Sequence, residues 1–255
     1  FYFKKFGGIL STTPQKNILE TCVSFYIDID IFFSLGSEIF SAKRIKNLDG
    51  NVKKTVPVGS FFLEHDWFKK QKDQKSIKKM DILFMGMNPN DWLYMNDVNF
   101  YNYEYLNREW IKKISKLYPN LSIGIKHHAN FSGSELEEQF FQNTNVKILS
   151  HDSINYSYGY INKSNLIFSF GSTTTLEAIS MNKKGYFIDP NGNGKNFYYG
   201  LDNLNPLRIK NFSQFEKVID QNIFNKKKKK LKIATYCLKS DKVSERVYKY
   251  LKKYR

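Results

Sequence analysis

The chain has 255 residues, of which 41% are hydrophobic and 16% aromatic, so it can form a substantial core and is not globally disordered. Its net charge of +16 favours an anionic partner such as a phosphorylated substrate, a membrane surface or nucleic acid. No apolar run approaches the roughly 18–20 residues that span a bilayer, and Cys22 and Cys237 lack the spacing of metal ligands.

Residues 1–70 are predicted to be part of a Rossmann-like domain. The stretch "DIFFSLGSEIF" from Asp30 predicts a strand, a glycine turn and a helix, and "KKTVPVGS" from Lys53 predicts a strand that ends at Gly59 and Ser60. Because the chain opens at Phe1 in the middle of this pattern, we expect that the start of this domain is missing. The polar segment that follows predicts a linker, which we place at residues 71–80.

Strands and helices alternate over residues 81–222. The predicted strands are "DILFMGM" from Asp81, "LSIGIKHH" from Leu121, "NVKIL" from Asn145, "LIFSF" from Leu166 and "GYFID" from Gly185. Helices are predicted between them, two of them with a capping box, Ser134 with Glu137 and Ser213 with Glu216. This alternation predicts βαβ units and a parallel sheet covered on both faces. Residues 223–255 are predicted to form basic C-terminal helices, the last of them amphipathic from Val243.

In such a sheet the ligand lies at the carboxyl ends of the strands, near the topological switch point. Polar residues and glycines follow each predicted strand. These segments are Gly86–Asn90, His127–His128, Ser150–Ser153, Gly171–Thr175 and Asp189–Pro190. We therefore expect one polar rim that binds the ligand.

The segment "GSTTTLEAIS" from Gly171 predicts a strand that passes through a glycine into a helix N-terminus. Backbone N–H groups and several hydroxyls converge there, which favours a phosphate site. The alternative is simple capping of the helix by Thr174, with Glu177 three residues later as its box partner. Capping uses one hydroxyl and leaves the others unexplained.

His127 and His128 end a strand, so only one of them should face the rim. A histidine there can donate a hydrogen bond to a phosphate oxygen as a nucleotide leaves. The alternative is an ordinary polar strand end. His65 and His151 have no ligand spacing with this pair, so no metal site is expected. The chain has no phosphate-binding P-loop, no G-x-G-x-x-G and no nucleophile elbow.

The succession "VGS" at Val58, "DILFMG", "IGIKHH" and "SNLIFSFGSTTTLEAISMNKKGYFID" resembles GT-B glycosyltransferases. It is most similar to bacterial surface-polysaccharide enzymes of the Kdo-transferase and sialyltransferase groups, which bind the phosphate of a CMP-sugar through a strand-end histidine and a Ser/Thr pair. The resemblance covers roughly residues 50–220. It implies a GT-B-like α/β fold, with a Rossmann-like parallel sheet in the C-terminal domain and the remnant of a preceding Rossmann-like domain.

The resemblance implies a glycosyltransferase of capsule or lipopolysaccharide synthesis that uses a nucleotide-sugar, preferably a CMP-sugar, and a glycan or glycolipid acceptor. The resemblance also implies that such an enzyme needs no cofactor and no obligatory metal. Donor-phosphate binding is expected at His127, His128, Gly171, Ser172, Thr173 and Thr174. Nucleotide or ribose binding is expected at Gly86, Asp152, Ser153 and Glu177. The second histidine stands where these families usually have proline, and no carboxylate matches their acidic catalytic motif, so no general base is assigned.

Three alternatives stay open: a CDP-polyol phosphotransferase, a nucleotide-sugar epimerase, or a non-catalytic GT-B-like module that binds an anionic glycan or nucleic acid. Nucleic acid is the least favoured partner, because no recognised motif accompanies the charge. The lysine block Lys226, Lys227, Lys228, Lys229 and Lys230 is compatible with a solvated helix face in a chain of biased composition, or with contact to an anionic membrane surface. We therefore expect a cytoplasmic protein at the inner face of the cytoplasmic membrane.

Overall fold

A computed structural model describes residues 11–12, 25–36, 48–64, 77–87, 98–127, 135–149, 154–169, 172, 174–190, 207–225 and 241–254. Within them the chain forms two parallel β-sheets. Several sequence predictions lie outside the described residues: the helix after Gly36, the first part of the linker, and the lysine block.

The first sheet has three parallel strands in the order β1-β2-β3. The strands are β1 (Ser11–Thr12), β2 (Phe25–Ser34) and β3 (Leu48–Pro57). Strands β2 and β3 are the predicted ones, and both end close to the first glycine that follows them. Parallel pairing requires a crossover between them, as in the Rossmann-like arrangement that the sequence predicts.

The second sheet contains six parallel strands in the order β6-β5-β4-β7-β8-β9. In chain order its elements are β4 (Met80–Met87), α1 (Val98–Leu117), β5 (Ile123–His127), α2 (Glu135–Phe140), β6 (Val146–Ile148), α3 (Ile154–Lys163), β7 (Ser164–Ser169), α4 (Thr174–Ser180), β8 (Lys184–Ile188), β9 (Arg208–Ile209) and α5 (Phe212–Ile219). The strands first spread outward from β4 in one direction and then, from β7, in the other. The topological switch point therefore lies between β4 and β7.

Helices cover both faces of this sheet, because successive side chains of a strand point to opposite faces. On one face, Ile82 and Phe84 of β4 pack with Ile111 of α1 and Phe215 of α5. On the other face, Leu83 and Met85 pack with Ile161 of α3 and Ala178 of α4. The predicted α/β class, with a Rossmann-like parallel sheet in the C-terminal part, is confirmed.

A C-terminal helix, α6 (Val243–Leu251), returns to the first sheet. Its Val243 is fully buried against Ile31, Phe33 and Val58. The guanidinium of Arg246 donates to the carbonyl oxygen of Val58 at 2.7 Å. The amphipathic helix predicted from Val243 is thus confirmed, and its apolar face is used in packing against β2 and β3.

Helix α5 begins one residue before the predicted capping box. Asn211 is its N-cap, and the Asn211 side chain accepts a hydrogen bond from the backbone N–H of Gln214 at 2.9 Å. The predicted box of Ser213 and Glu216 is therefore wrong. Asn is as good an N-cap residue as Ser. The sequence favours Ser213 only because Glu216 follows it at the spacing of a capping box.

We expect Gly185→Ala to destabilise the protein by about 1–3 kcal/mol, the usual cost of overpacking a core. A Cβ atom on Gly185 would lie 2.9 Å from the carbonyl oxygen of Thr175 and 3.1 Å from Cγ1 of Ile179, so α4 would have to move away from β8. Urea unfolding of the variant measures this cost. A free energy of unfolding equal to that of the wild type would show that α4 tolerates the displacement.

Candidate functional site

The carboxyl edge of the second sheet is irregular at the switch point. The pairing of β4 with β5 shifts register between Met85 and Met87, so Gly86 is the extra residue of a bulge. Bulges are frequent beside binding sites, where they redirect the chain. The structure thus places predicted site residue Gly86 at the expected edge, opposite the end of β7.

Four hydroxyl side chains, which we call the hydroxyl cluster, lie between β7 and α4. They are Ser169, Ser172, Thr174 and Thr175. The Oγ atoms of Ser172 and Thr174 are 2.5 Å apart, as are those of Ser169 and Thr175. Ser169 and Thr175 are buried, whereas Ser172 and Thr174 are only half-buried. Ser172 and Thr174 are therefore the pair that can still reach a ligand.

The alternative interpretation, capping of α4 by Thr174, is not what the structure shows. Thr174 is the first residue of the helix, and its backbone N–H donates weakly to the Oγ of Ser172 at 3.4 Å. Glu177 does not return to this N-terminus as a box partner. The hydroxyl of Thr174 therefore makes its contact with Ser172, and the carboxylate of Glu177 is used elsewhere.

Glu177 connects the two sheets. Its Oε2 accepts a hydrogen bond from the hydroxyl of Tyr158 in α3 at 2.8 Å. Its Oε1 accepts one from the hydroxyl of Ser60, which follows β3 of the first sheet, at 3.2 Å. Burial raises the pKa of Glu177 to about 7, although both hydrogen bonds oppose this shift. A carboxyl group that changes charge near neutral pH thus lies between the sheets.

The turn that carries Ser60 requires glycine. Gly59 has φ = 98°, a left-handed conformation that a residue with a Cβ rarely adopts. The backbone N–H groups of Val58 and Gly59 donate to the carbonyl oxygen of Ser34, at 2.8 and 3.3 Å, and bind this turn to the end of β2. The carboxyl end of the first sheet therefore meets α4 of the second. We call this region, formed by Gly59, Ser60, Glu177 and the hydroxyl cluster, the inter-sheet junction.

His127, at the end of β5, belongs to a buried ionic cluster. Its Nε2 lies 2.5 Å from Oε2 of Glu137 in α2. Nε of Arg108 in α1 donates to Oε1 of the same carboxylate at 2.9 Å. The side chains of Arg108 and Glu137 are completely buried, and that of His127 is almost so. The Nε2 of His127 is thus directed at Glu137, while its role as a phosphate ligand stays a prediction.

The surroundings of Glu137 keep it charged. Desolvation alone would raise its pKa, but the hydrogen bond from His127 and the charge of Arg108 outweigh desolvation and hold the pKa of Glu137 below its ordinary value. The sequence predicted Glu137 only as a cap partner of Ser134, which lies outside the described residues. A buried glutamate beside a strand-end histidine and a helical arginine was not foreseen, because their approach depends on the tertiary fold.

The remaining rim residues divide into two groups. Asp189, just after β8, is fully buried and its carboxylate pairs with the guanidinium of Arg208 in β9. The other predicted site residues, His128, Asp152, Ser153, Gly171 and Thr173, lie outside the described residues. Among the residues that the structure describes, no group of three or more His, Cys, Asp or Glu could hold a metal ion. Nor is any helix in this part of the chain long and apolar enough to cross a membrane.

No protein-family model matches the chain, and no curated protein matches it. Among solved structures, it is similar to a Methanocaldococcus jannaschii UDP-GlcNAc 2-epimerase in complex with UDP-GlcNAc and UDP, with 13% identity over 80% of this chain and a TM-score of 0.47. The chain spans 56% of that epimerase. It is also similar to Acinetobacter baumannii MurG, with 11% identity and a TM-score of 0.47. That match covers 98% of this chain and 68% of MurG. The order of the parallel strands by itself defines the Rossmann-like α/β class of the second sheet.

We expect Glu137→Gln to destabilise the protein by about 3 kcal/mol, because it removes the charge that compensates the buried Arg108. The matched control is Glu138→Gln, which makes the same change at an exposed position of the same helix. Urea unfolding of both variants measures the difference. Equal stability of the two variants would mean that Arg108 does not depend on the Glu137 charge.

We also expect the free energy of unfolding of the wild type to depend on pH because of Glu177. Its pKa is about 7 in the folded protein against an ordinary 4.5, so between these pH values the folded state binds more protons than the unfolded state. Linkage then lowers the free energy of unfolding as pH rises through this window, by up to about 3 kcal/mol. Glu177→Gln should abolish this loss. The free energy of unfolding of the variant should therefore rise relative to that of the wild type between pH 5 and pH 8.

Urea unfolding of wild type and Glu177→Gln across this pH range tests the expectation, with Glu138→Gln as the exposed control. The quantity of interest is the difference between the two proteins at each pH, since other groups titrate in both. A difference that does not change with pH would show that Glu177 has an ordinary pKa.

Proposed function

We propose that the chain is a nucleotide-sugar-dependent glycosyltransferase whose donor binds at the inter-sheet junction. The observation that carries this proposal is the hydrogen bond of Ser60 to Glu177. It brings the carboxyl end of one parallel sheet against the helix that follows the switch-point strand of another. Ligands of parallel α/β sheets bind at such edges, and a junction between two of them can hold a donor and an acceptor together.

The hydroxyl cluster supports binding of the donor phosphate. Ser172 and Thr174 are only half-buried, so both residues still present surface to a ligand. They adjoin the N-terminal turn of α4, where backbone N–H groups favour an anion. With the predicted residues Gly171 and Thr173, they would form the phosphate-binding surface, and Gly86 would leave room for the nucleotide beside it.

The transfer proposed here forms a bond from an acceptor hydroxyl oxygen to the anomeric carbon and breaks the bond from that carbon to the donor phosphate. Hydrogen-bond donors of the junction would stabilise the negative charge that develops on the leaving phosphate. His127, or His128, would add to them. The acceptor would bind on the side of the first sheet, and no residue is assigned as the base that takes the hydroxyl proton.

The more specific part of the proposal rests on the resemblance in sequence. It favours a CMP-sugar donor, a role in bacterial capsule or lipopolysaccharide synthesis, and a position at the inner face of the cytoplasmic membrane. The same junction would also suit a nucleotide-sugar epimerase or a CDP-polyol phosphotransferase, because both bind a nucleotide diphosphate or monophosphate at such an edge. The nucleotide preference separates these possibilities.

We expect a selective thermal shift with one of CMP, CDP, UDP, GDP and dTDP, each measured with and without EDTA. A ligand at 100 times its Kd stabilises the folded state by about 2.7 kcal/mol, which for a chain of this size raises the Tm by roughly 2–4 °C per kcal/mol. The variant Ser172→Ala/Thr174→Ala should lose the shift. The control variant Thr144→Ala should keep the shift, because it removes a hydroxyl just before β6, at the opposite edge of the sheet.

The pattern of the shift decides the narrower assignment. A shift with CMP that EDTA does not alter supports a CMP-sugar donor. A shift with UDP or GDP alone keeps the junction as the nucleotide site and refutes the CMP-sugar assignment. No shift with any nucleotide, in a protein that unfolds cooperatively, contradicts the proposed function.

A further inference from the structure

The outward face of α1 is unusual because it combines lysines with exposed apolar side chains. A groove of about 540 Å³ runs along it, with Trp110, Lys112, Lys113, Lys116 and Phe212 in its lining. Trp110 stacks on Phe215 with ring centroids 5.9 Å apart. The floor of the groove is therefore fixed in the core, while its edges face solvent.

Two lysines of this face are held in place by aromatic rings. The Nζ of Lys112 lies 4.3 Å from the ring centroid of Phe140, and that of Lys113 lies 4.1 Å from the centroid of Phe212. Such cation–π contacts restrict the side chains without neutralising their charge. Lys116 is exposed one turn further along the helix. Three positive charges thus lie within two turns, against the single carboxylate of Glu109 in the groove lining.

Two large exposed apolar side chains lie at the C-terminal end of α1. Leu117 is 48% exposed and Phe224, at the end of the turn that follows α5, is 53% exposed. Phe224 packs against Tyr118 with ring centroids 5.3 Å apart, so it lies beside the C-terminal end of α1. We call Lys112, Lys113, Lys116, Leu117 and Phe224 the α1 face.

We propose that the α1 face docks on the surface of an anionic lipid bilayer. Lysines near an anionic leaflet bind its headgroups, and apolar side chains such as Leu117 and Phe224 gain by entering the boundary between headgroups and acyl chains. A soluble polyanion, such as nucleic acid or an acidic glycan, would use the lysines but would leave both apolar side chains in water. The combination of the two therefore favours lipid.

This surface is separate from the inter-sheet junction. Helix α1 covers the sheet face that carries Phe84, whereas α4 covers the face that carries Leu83. Binding to lipid can thus be measured without any reference to nucleotides, and it does not depend on the proposed function.

The test is flotation of the full chain with vesicles of equal parts phosphatidylcholine and phosphatidylglycerol, compared with vesicles of phosphatidylcholine alone. Each lysine near such a surface contributes about fivefold to partitioning, so Lys112→Gln/Lys113→Gln/Lys116→Gln should lower the partition coefficient about 100-fold. The matched control is Lys78→Gln/Lys79→Gln/Lys253→Gln, which removes the same charge at exposed positions outside the face. The Tm of each variant verifies that it is folded.

A second variant distinguishes lipid from a soluble polyanion. Leu117→Ser/Phe224→Ser should weaken vesicle binding and leave binding to heparin unchanged. If the surface acts through charge alone, the triple lysine variant should lose heparin binding and vesicle binding equally, and the apolar variant should lose neither. That result would overturn the proposal. Vesicle binding of the triple lysine variant equal to that of its control would also overturn it.

Discussion

The hydrogen bond between Ser60 and Glu177 is the contact on which the arrangement of the candidate site depends. Ser60 follows a strand of the first sheet, and Glu177 lies in the helix that leaves the switch-point strand of the second. The contact is polar and buried, so it is strong only while both groups are satisfied. Tyr158 supplies the second hydrogen bond that Glu177 needs.

Three further features hold Glu177 in position. Gly185 allows α4 to pack directly on β8, because no Cβ stands between them. On the other side, the turn at Gly59 is bound to the end of β2 by two backbone hydrogen bonds. Helix α6 adds a third constraint, since Arg246 donates to the carbonyl of Val58 just before that turn. The C-terminal helix thus supports the turn that reaches the second sheet.

In the described part of the chain, two buried ionic clusters lie at the carboxyl edge of the second sheet. Glu137 lies between Arg108 and His127, and Asp189 pairs with Arg208. A buried charge without a partner would cost several kcal/mol, so both sets fix the positions of strand ends. They hold the ends of β5 and β8 against α1, α2 and β9, whereas Ser172 and Thr174 are only half-buried.

The sequence predicted the strands of the second sheet and their carboxyl edge because buried parallel strands are short apolar runs that end in glycine or polar residues. It also placed Ser172, Thr174 and Glu177 near one another, since they are close along the chain. It missed the partners of Glu177 and Glu137. Ser60 is 117 residues from Glu177, and Arg108 is 29 residues from Glu137, so only the tertiary fold brings each pair together.

Helix starts were predicted less well, for a local reason. The box signatures at Thr174 and Ser213 rest on spacing alone, and a Glu three residues after a hydroxyl also occurs where that Glu has a tertiary role. Glu177 is such a case, and at α5 the neighbouring Asn211 is the actual cap. Backbone geometry, which spacing does not encode, decides which of several polar residues becomes the cap.

The most direct test of the account is amide hydrogen exchange with and without the nucleotide that binds best. A donor at the inter-sheet junction should protect peptides that contain residues 58–63 and 172–180 together, and leave those at the opposite edge, around residues 119–122 and 144–146, unchanged. Protection in only one of the two junction segments, or only at the opposite edge, would contradict a site shared by the two sheets.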